Sequence, residues 1–215
     1  MIIPDLFINH DGFVTIQPNA NPRPGEGNGW LQTGLAVACG ARPPAPEMLR
    51  ACRKSPTNPL IWRSPWKVNP GDETQCDDYW GALLISRPWA QEILAYGKAH
   101  WWCFDIGGQG RFKYWFGRFL PFASFVKVCA GERPNRLEAF CLALYILFSA
   151  YKISNADGNM KAYCVISRAQ WASPWCAWAA KIWNRRIRAR YGFVGLSWAE
   201  YFGPDHPMNS FNEVR

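Results

Sequence analysis

Between Leu137 and Ala150 the chain reads LEAFCLALYILFSA, with Glu138 its one charged residue and Ser149 its one other clearly polar side chain. A helix that is apolar on all sides is either buried in a core or set in a membrane. A spanning helix needs roughly 20 apolar residues, and this run is bounded by Arg136 and Lys152. The pattern predicts a central buried helix and no membrane span. On that reading Leu144→Asp buries an unpaired charge, which abolishes folding.

The chain breaks at Asn155-Ala156-Asp157-Gly158, resumes as MKAYCVISRAQW and restarts at Ser173-Pro174. Ser173 is a good N-cap, and Pro174 suits the first helical position, where no amide hydrogen bond is lost. In the leg that follows, Trp175, Trp178, Ala179, Ile182 and Ile187 are read as one apolar face, and Lys181, Arg185 and Arg188 as another. Arg186, Arg188 and Arg190 complement the dipole of the last turns, and Gly192 is placed to end the helix.

Upstream the elements are shorter. Residues 1–18 predict a short strand or extended arm turning at Asp11-Gly12, and NANPRPGEGNG after it is an irregular loop. Asn28 caps WLQTGLAVAC, and Pro46 opens EMLRACRK. Residues 55–73 hold four prolines and read as a long irregular segment anchored by Trp62 and Trp66. Thr74 or Asp77 caps DYWGALLIS, and Ser86 starts RPWAQEILAYGKAH. Residues 101–131 mix aromatics with Gly107, Gly108, Gly110 and Gly117, so one or two short strands or a glycine turn are expected there. Gly-Gly-Gln-Gly is not a phosphate loop, because no Gly-Lys-Ser/Thr follows. Ser197 caps a last short helix, WAEYF. The fold class that results is mainly α: a single-domain irregular helical bundle with long Pro/Gly-rich loops and little β structure. Residues 1–29 form an extended arm or loop and 205–215 a tail.

Composition changes this picture in three ways. The 13 Trp and 13 Phe among 215 residues point to a core built on large rings, or to a planar surface that binds sugars, bases or protein. A net charge of +8 favours acidic partners, with Arg185 to Arg190 the one dense cluster. That cluster is read as the place where an acidic neighbouring subunit, or phosphate, is met. The eight cysteines lack the short spacings of a zinc site, and Cys141, Cys164 and Cys176 fall within apolar helical patterns. No basic start followed by an apolar stretch occurs in residues 1–30, so reduced thiols and synthesis in a cytoplasm are expected. No metal and no cofactor is called for.

The candidate chemistry is sparse. A glycan hydrolase needs two carboxylates about 5–10 Å apart, and Glu26 with Asp77 or Asp78 meets that demand if their loops converge. Trp30, Trp62, Trp66 and Trp80 are close to them in sequence and offer rings for stacking on sugars. The simpler assignment has Asp77 capping a helix, Asp78 complementing its dipole and Glu26 in solvent. His10, His100 and His206 are far apart, and nothing marks a Ser or Cys nucleophile to pair with the Asp205-His206 turn.

Three motifs occur in order: Gly27-Asn28-Gly29 before a helix, Cys76-Asp77-Asp78-Tyr79-Trp80-Gly81 opening another, and Tyr201-Phe202-Gly203-Pro204-Asp205-His206-Pro207 near the end. In that order the chain resembles a group of mostly uncharacterised proteins encoded by tailed bacteriophages. The resemblance implies a virion or tail-associated component made in the bacterial cytoplasm, with other particle subunits as partners. It carries over no catalytic residue. Those relatives tend to have an acidic residue directly before Asn-Gly, whereas here Gly27 fills that place and Glu26 is one step earlier. Two function classes follow: a non-catalytic structural or interaction protein docking through aromatic and basic surface (Trp62, Trp66, Arg185, Arg186, Arg188), and a glycan-active hydrolase. Nucleic-acid binding stands third.

Overall fold

Two glycines bring the backbones of two helices into contact. The computed structural model describes residues 7–8, 14–15, 29–38, 43–62, 76–105, 111–113, 116–151 and 156–191. Helix α1 (Gly29–Ala38) crosses α3 (Cys76–Ala82) where Gly34 meets Gly81. A Cβ on Gly34 would fall on the Gly81 backbone, and one on Gly81 would fall on the backbone of Trp30 and Leu31. The absence of both side chains lets the two backbones touch. Trp30, Leu31 and Leu35 from α1 and Tyr79 and Trp80 from α3 are thereby sealed into the core. The second motif of the sequence, Cys76 to Gly81, thus ends at this helix crossing.

Around this crossing the remaining elements follow in chain order. β1 (Phe7–Ile8) and β2 (Val14–Thr15) pair antiparallel, as the Asp11-Gly12 turn predicts. After α2 (Pro46–Ala51) come β3 (Arg53–Ser55) and β4 (Asn58–Ile61), an antiparallel hairpin whose first strand replaces the end of the expected helix EMLRACRK and whose second lies in the segment expected to be irregular. It is held by indole and phenol groups from the core. Trp89 Nε1 donates to the Pro59 carbonyl at 2.9 Å, Ile61 N donates to the Tyr79 hydroxyl at 3.3 Å, and Trp30 Nε1 donates to the Trp62 carbonyl at 3.2 Å. Buried Trp and Tyr groups usually find such partners, and these bonds order a strand too short to announce itself.

Helix α4 (Arg87–Ala99) starts where predicted, with the Ser86 hydroxyl accepting from Trp89 N. It ends in an unusual turn, because Trp101 and Trp102 both have positive φ, 52° and 55°. Left-handed backbone at a bulky residue costs about 1–2 kcal/mol, and the packing that offsets it is visible: the Trp102 ring lies directly on Gly97. β5 (Cys103–Asp105) and β6 (Arg111–Lys113) form the short ladder expected in this stretch.

The stretch also contains a helix that the sequence pattern does not predict, α5 (Phe116–Ala130). Gly117 and Pro121 lie in its first half and read as breakers. Phe122, Phe125 and Val126 are fully buried, so tertiary packing overrides local propensity. Gly131, at φ 86°, ends the helix, and Arg87 and Gln91 of α4 both donate to the last carbonyl, Ala130 O, at 3.2 Å.

The final three helices are α6 (Arg136–Tyr151), α7 (Ala156–Ala169) and α8 (Pro174–Tyr191). α6 opens on a reciprocal capping box. Glu138 N donates to Asn135 Oδ1 at 2.9 Å and Asn135 N donates to Glu138 Oε2 at 2.7 Å, while Lys127 holds the same carboxylate at 2.8 Å. α7 begins at Ala156, inside the tetrapeptide read as a break. α8 begins at Pro174 with the Ser173 hydroxyl accepting from Trp175 N at 3.2 Å. The buried residues join in one continuous cluster across these helices. At its centre Trp80 is parallel to Tyr145 with ring centroids 5.2 Å apart, stacked on Phe125 at 5.3 Å and edge-on to Phe122 at 5.1 Å. The mainly α, single-domain bundle is what the structure shows, with eight helices and three two-stranded ladders among the described residues.

Candidate interaction face

α6 and α8 lie side by side and run parallel. Phe140 meets Trp175 edge-on, with ring centroids 6.0 Å apart. Eleven residues further along each helix, the Arg186 guanidinium stands 3.8 Å from the centre of the Tyr151 ring. Small side chains face each other between these contacts: Ala139, Ala143 and Ala150 on α6 and Cys176, Ala179 and Ala180 on α8, all buried. Cys176 Sγ reaches the Ala139 carbonyl at 3.4 Å, a measure of how near the backbones come. α7 makes the return between the two.

This arrangement corrects two expectations. α6 is not enclosed on all sides: Ala139, Leu142, Ala143, Ile146 and Ala150 form its core face, while Leu137, Phe140, Phe148 and Tyr151 are exposed. Leu144 is only half-buried. On α8 the buried face is Cys176, Ala179, Ala180, Trp183 and Ile187, whereas Trp175 and Trp178 point outward. The physical reason is the close approach of parallel helices, which selects small residues at the seam and leaves the large rings outside it.

The outward side is therefore a continuous apolar strip. On α6, Leu137, Phe140, Cys141, Leu144, Phe148 and Tyr151 follow helical spacing along one face. On α8, Trp175, Trp178, Ile182, Arg185 and Arg186 do the same beside it, and Trp171 stands in the turn before α8. Phe148 is 70% exposed, Trp171 76% and Trp178 57%. Scattered exposed apolar residues need no explanation, but a contiguous set marks an interaction site. Trp, Tyr and Arg are also the residue types that dominate binding energy at interfaces. Burial of such a strip yields about 25 cal/mol per Å² before association costs.

No protein family, curated protein or solved structure matches this chain.

The residues singled out in the sequence separate into three groups. Arg185 and Arg186 are exposed and border the strip. Asp78 is fully buried in α3, and Trp62 is half-buried, its ring under the Lys54 ammonium at 4.8 Å. The side chains of Asp77 and Arg188, and all of Glu26, Trp66, His10 and His206, lie outside the described residues. α3 begins at Cys76, so Asp77 belongs to its first turn and does not cap it. His100 stacks on Tyr96 at 3.9 Å, with its Nδ1 2.9 Å from the Tyr96 carbonyl. The tryptophans divide as well: Trp30, Trp80, Trp89, Trp102 and Trp183 are core, and Trp101, Trp171, Trp175 and Trp178 are surface.

Cysteine chemistry follows burial. Cys52, Cys103, Cys129, Cys141, Cys164 and Cys176 are free thiols. Burial pushes the Cys52 and Cys129 thiols far up, and pushes that of Cys176 up to about 11 against a weaker opposing bond from Ser173. Cys141 is raised too, by burial first and by Glu138 second. A nucleophilic cysteine needs the opposite shift, and Cys52, Cys129 and Cys176 are buried in the core. Among the described residues no His, Cys, Asp and Glu group has metal-binding geometry, and no helix is long and apolar enough to cross a membrane.

Proposed function

We propose that this chain is a non-catalytic interaction protein that docks onto neighbouring protein subunits through the outward face of α6 and α8. The single observation that carries this is the exposed set of Leu137, Phe140, Phe148 and Tyr151 on α6, Trp175 and Trp178 on α8, and Trp171 in the turn before α8. A run as apolar as α6 is stable in water when both its faces are covered: the core covers one, and a partner covers the other. The resemblance of the three motifs to tailed-bacteriophage proteins supports a phage particle as the assembly in question, with the chain a virion or tail-associated component. Covering the face at assembly also accounts for the large rings of Phe148, Trp171, Trp175 and Trp178 on the outside of the bundle.

The paired-carboxylate reading has less support. Asp78 is fully buried beside the α1–α3 crossing, out of reach of a sugar chain in solution. Quantitative mass spectrometry of purified particles from the encoding phage tests the assignment. A fixed copy number per particle is expected, and absence from particles would remove the virion role.

A further inference from the structure

We infer that the occupant of the α6–α8 face is a single acidic amphipathic helix, laid along the groove between the two helices with carboxylates over Arg185 and Arg186. This rests on the docking role proposed above and names the partner's chemistry.

Shape comes first. Two parallel helices leave a groove along their common outer side, and here Phe140 with Trp175 and Tyr151 with Arg186 bridge it near its two ends. Leu137, Phe140, Leu144 and Tyr151 repeat at i, i+3, i+7 and i+14, which sets a row of side chains for the ridge of a third helix. α6 has 16 residues, so the groove is about 24 Å long and takes about four turns of a partner.

Charge then selects among partners. The exposed charged side chains described on α6 and α8 are Arg136, Lys181, Arg185 and Arg186, all cationic. Glu138 is the one carboxylate in the two helices, and Lys127 holds it at 2.8 Å. α8 has no Asp or Glu at all. A second copy of this face would set cations against cations in a chain already at +8. An acidic helix removes that conflict while its apolar row covers the rings, the usual division between steering charge and apolar anchor.

The test uses the full chain and two synthetic peptides of about 18 residues. Both carry leucine at i, i+3, i+4 and i+7; one has glutamate at the polar positions and the other lysine. Fluorescence anisotropy should show the acidic peptide binding roughly tenfold or more tighter than the basic one, with the gap narrowing between about 50 and 200 mM salt. The double variant Arg185→Glu/Arg186→Glu should invert the preference, and Trp178→Glu should weaken both peptides. Equal binding of the two peptides would overturn the inference, as would binding untouched by Trp178→Glu. Self-association through the face in sedimentation, or binding to anionic phospholipid vesicles in place of the acidic peptide, would overturn it too. The docking role fails separately: it is lost if Phe148→Glu/Trp178→Glu still associates with its natural assembly, whatever the peptides do.

Discussion

Gly81→Ala is expected to destabilise the protein by about 3 kcal/mol or more, although the same change in an ordinary helix stabilises it. In an exposed helix interior, replacing glycine by alanine gains about 1 kcal/mol. At position 81 the added Cβ lands on the backbone of Trp30 and Leu31, which cannot rotate away as a side chain does. Room is made only by moving α1 from α3, which loosens Trp30, Leu31, Tyr79 and Trp80 together. Overpacking costs about 1–3 kcal/mol where side chains absorb it, and backbone contact sets this case at the upper end. For a chain of this size the melting temperature should fall by roughly 10 °C. Gly34→Ala should behave alike, and the double variant should cost less than the sum, since one separation of the helices admits both methyl groups. A rise in melting temperature for Gly81→Ala would show that the helices do not cross there.

The second large effect separates two residues of the same helix. Ile146 is fully buried and Phe148 is 70% exposed. Ile146→Asp loses an apolar side chain and buries an unpaired carboxylate, a combined cost of about 5 kcal/mol. That is a large part of the roughly 5–15 kcal/mol that holds a domain folded, so no folded protein should be recovered. Phe148→Glu should change stability by no more than about 0.5 kcal/mol, as surface substitutions do. Leu144→Asp, at a half-buried position, should fall between the two. Circular dichroism melts of the three variants check the order, and equal damage from Ile146→Asp and Phe148→Glu would mean that α6 is covered on both sides.

Sidedness was the part of α6 that sequence could not supply. Its residues are apolar all round, so no polar face marks the solvent side and the helix is legible without its orientation. In α8 the difficulty is different. Trp175 and Trp178 outweigh Ala179 and Ala180 on any count of apolar surface, yet small residues occupy the seam because parallel backbones lie close. The paired small residues Ala139 and Ala143 against Ala179 and Ala180 are the signal that locates the seam, and it needs both helices at once. α5 was hidden by Gly117 and Pro121, whose local preference loses to the burial of Phe122, Phe125 and Val126. The 53–61 hairpin was hidden because its order comes from Trp89 and Tyr79, distant in sequence. By contrast the Ser86 and Ser173 helix starts and the mainly α class were legible, since caps are local physics. Of the residues on the proposed face, Arg185 and Arg186 are legible from charge alone, while the exposure of Phe148, Tyr151 and Trp171 required the structure.

Photocross-linking most directly tests whether the α6–α8 face is a docking surface. Benzoylphenylalanine placed at Phe148 or Trp178 keeps a large ring at an exposed position, and the same residue at Ala95, exposed on α4, serves as the comparison. Irradiation of the protein in its native assembly should give one discrete adduct, to the same neighbouring subunit, from positions 148 and 178, and none from position 95. No adduct from either ring position, or the same adduct from position 95, would contradict it.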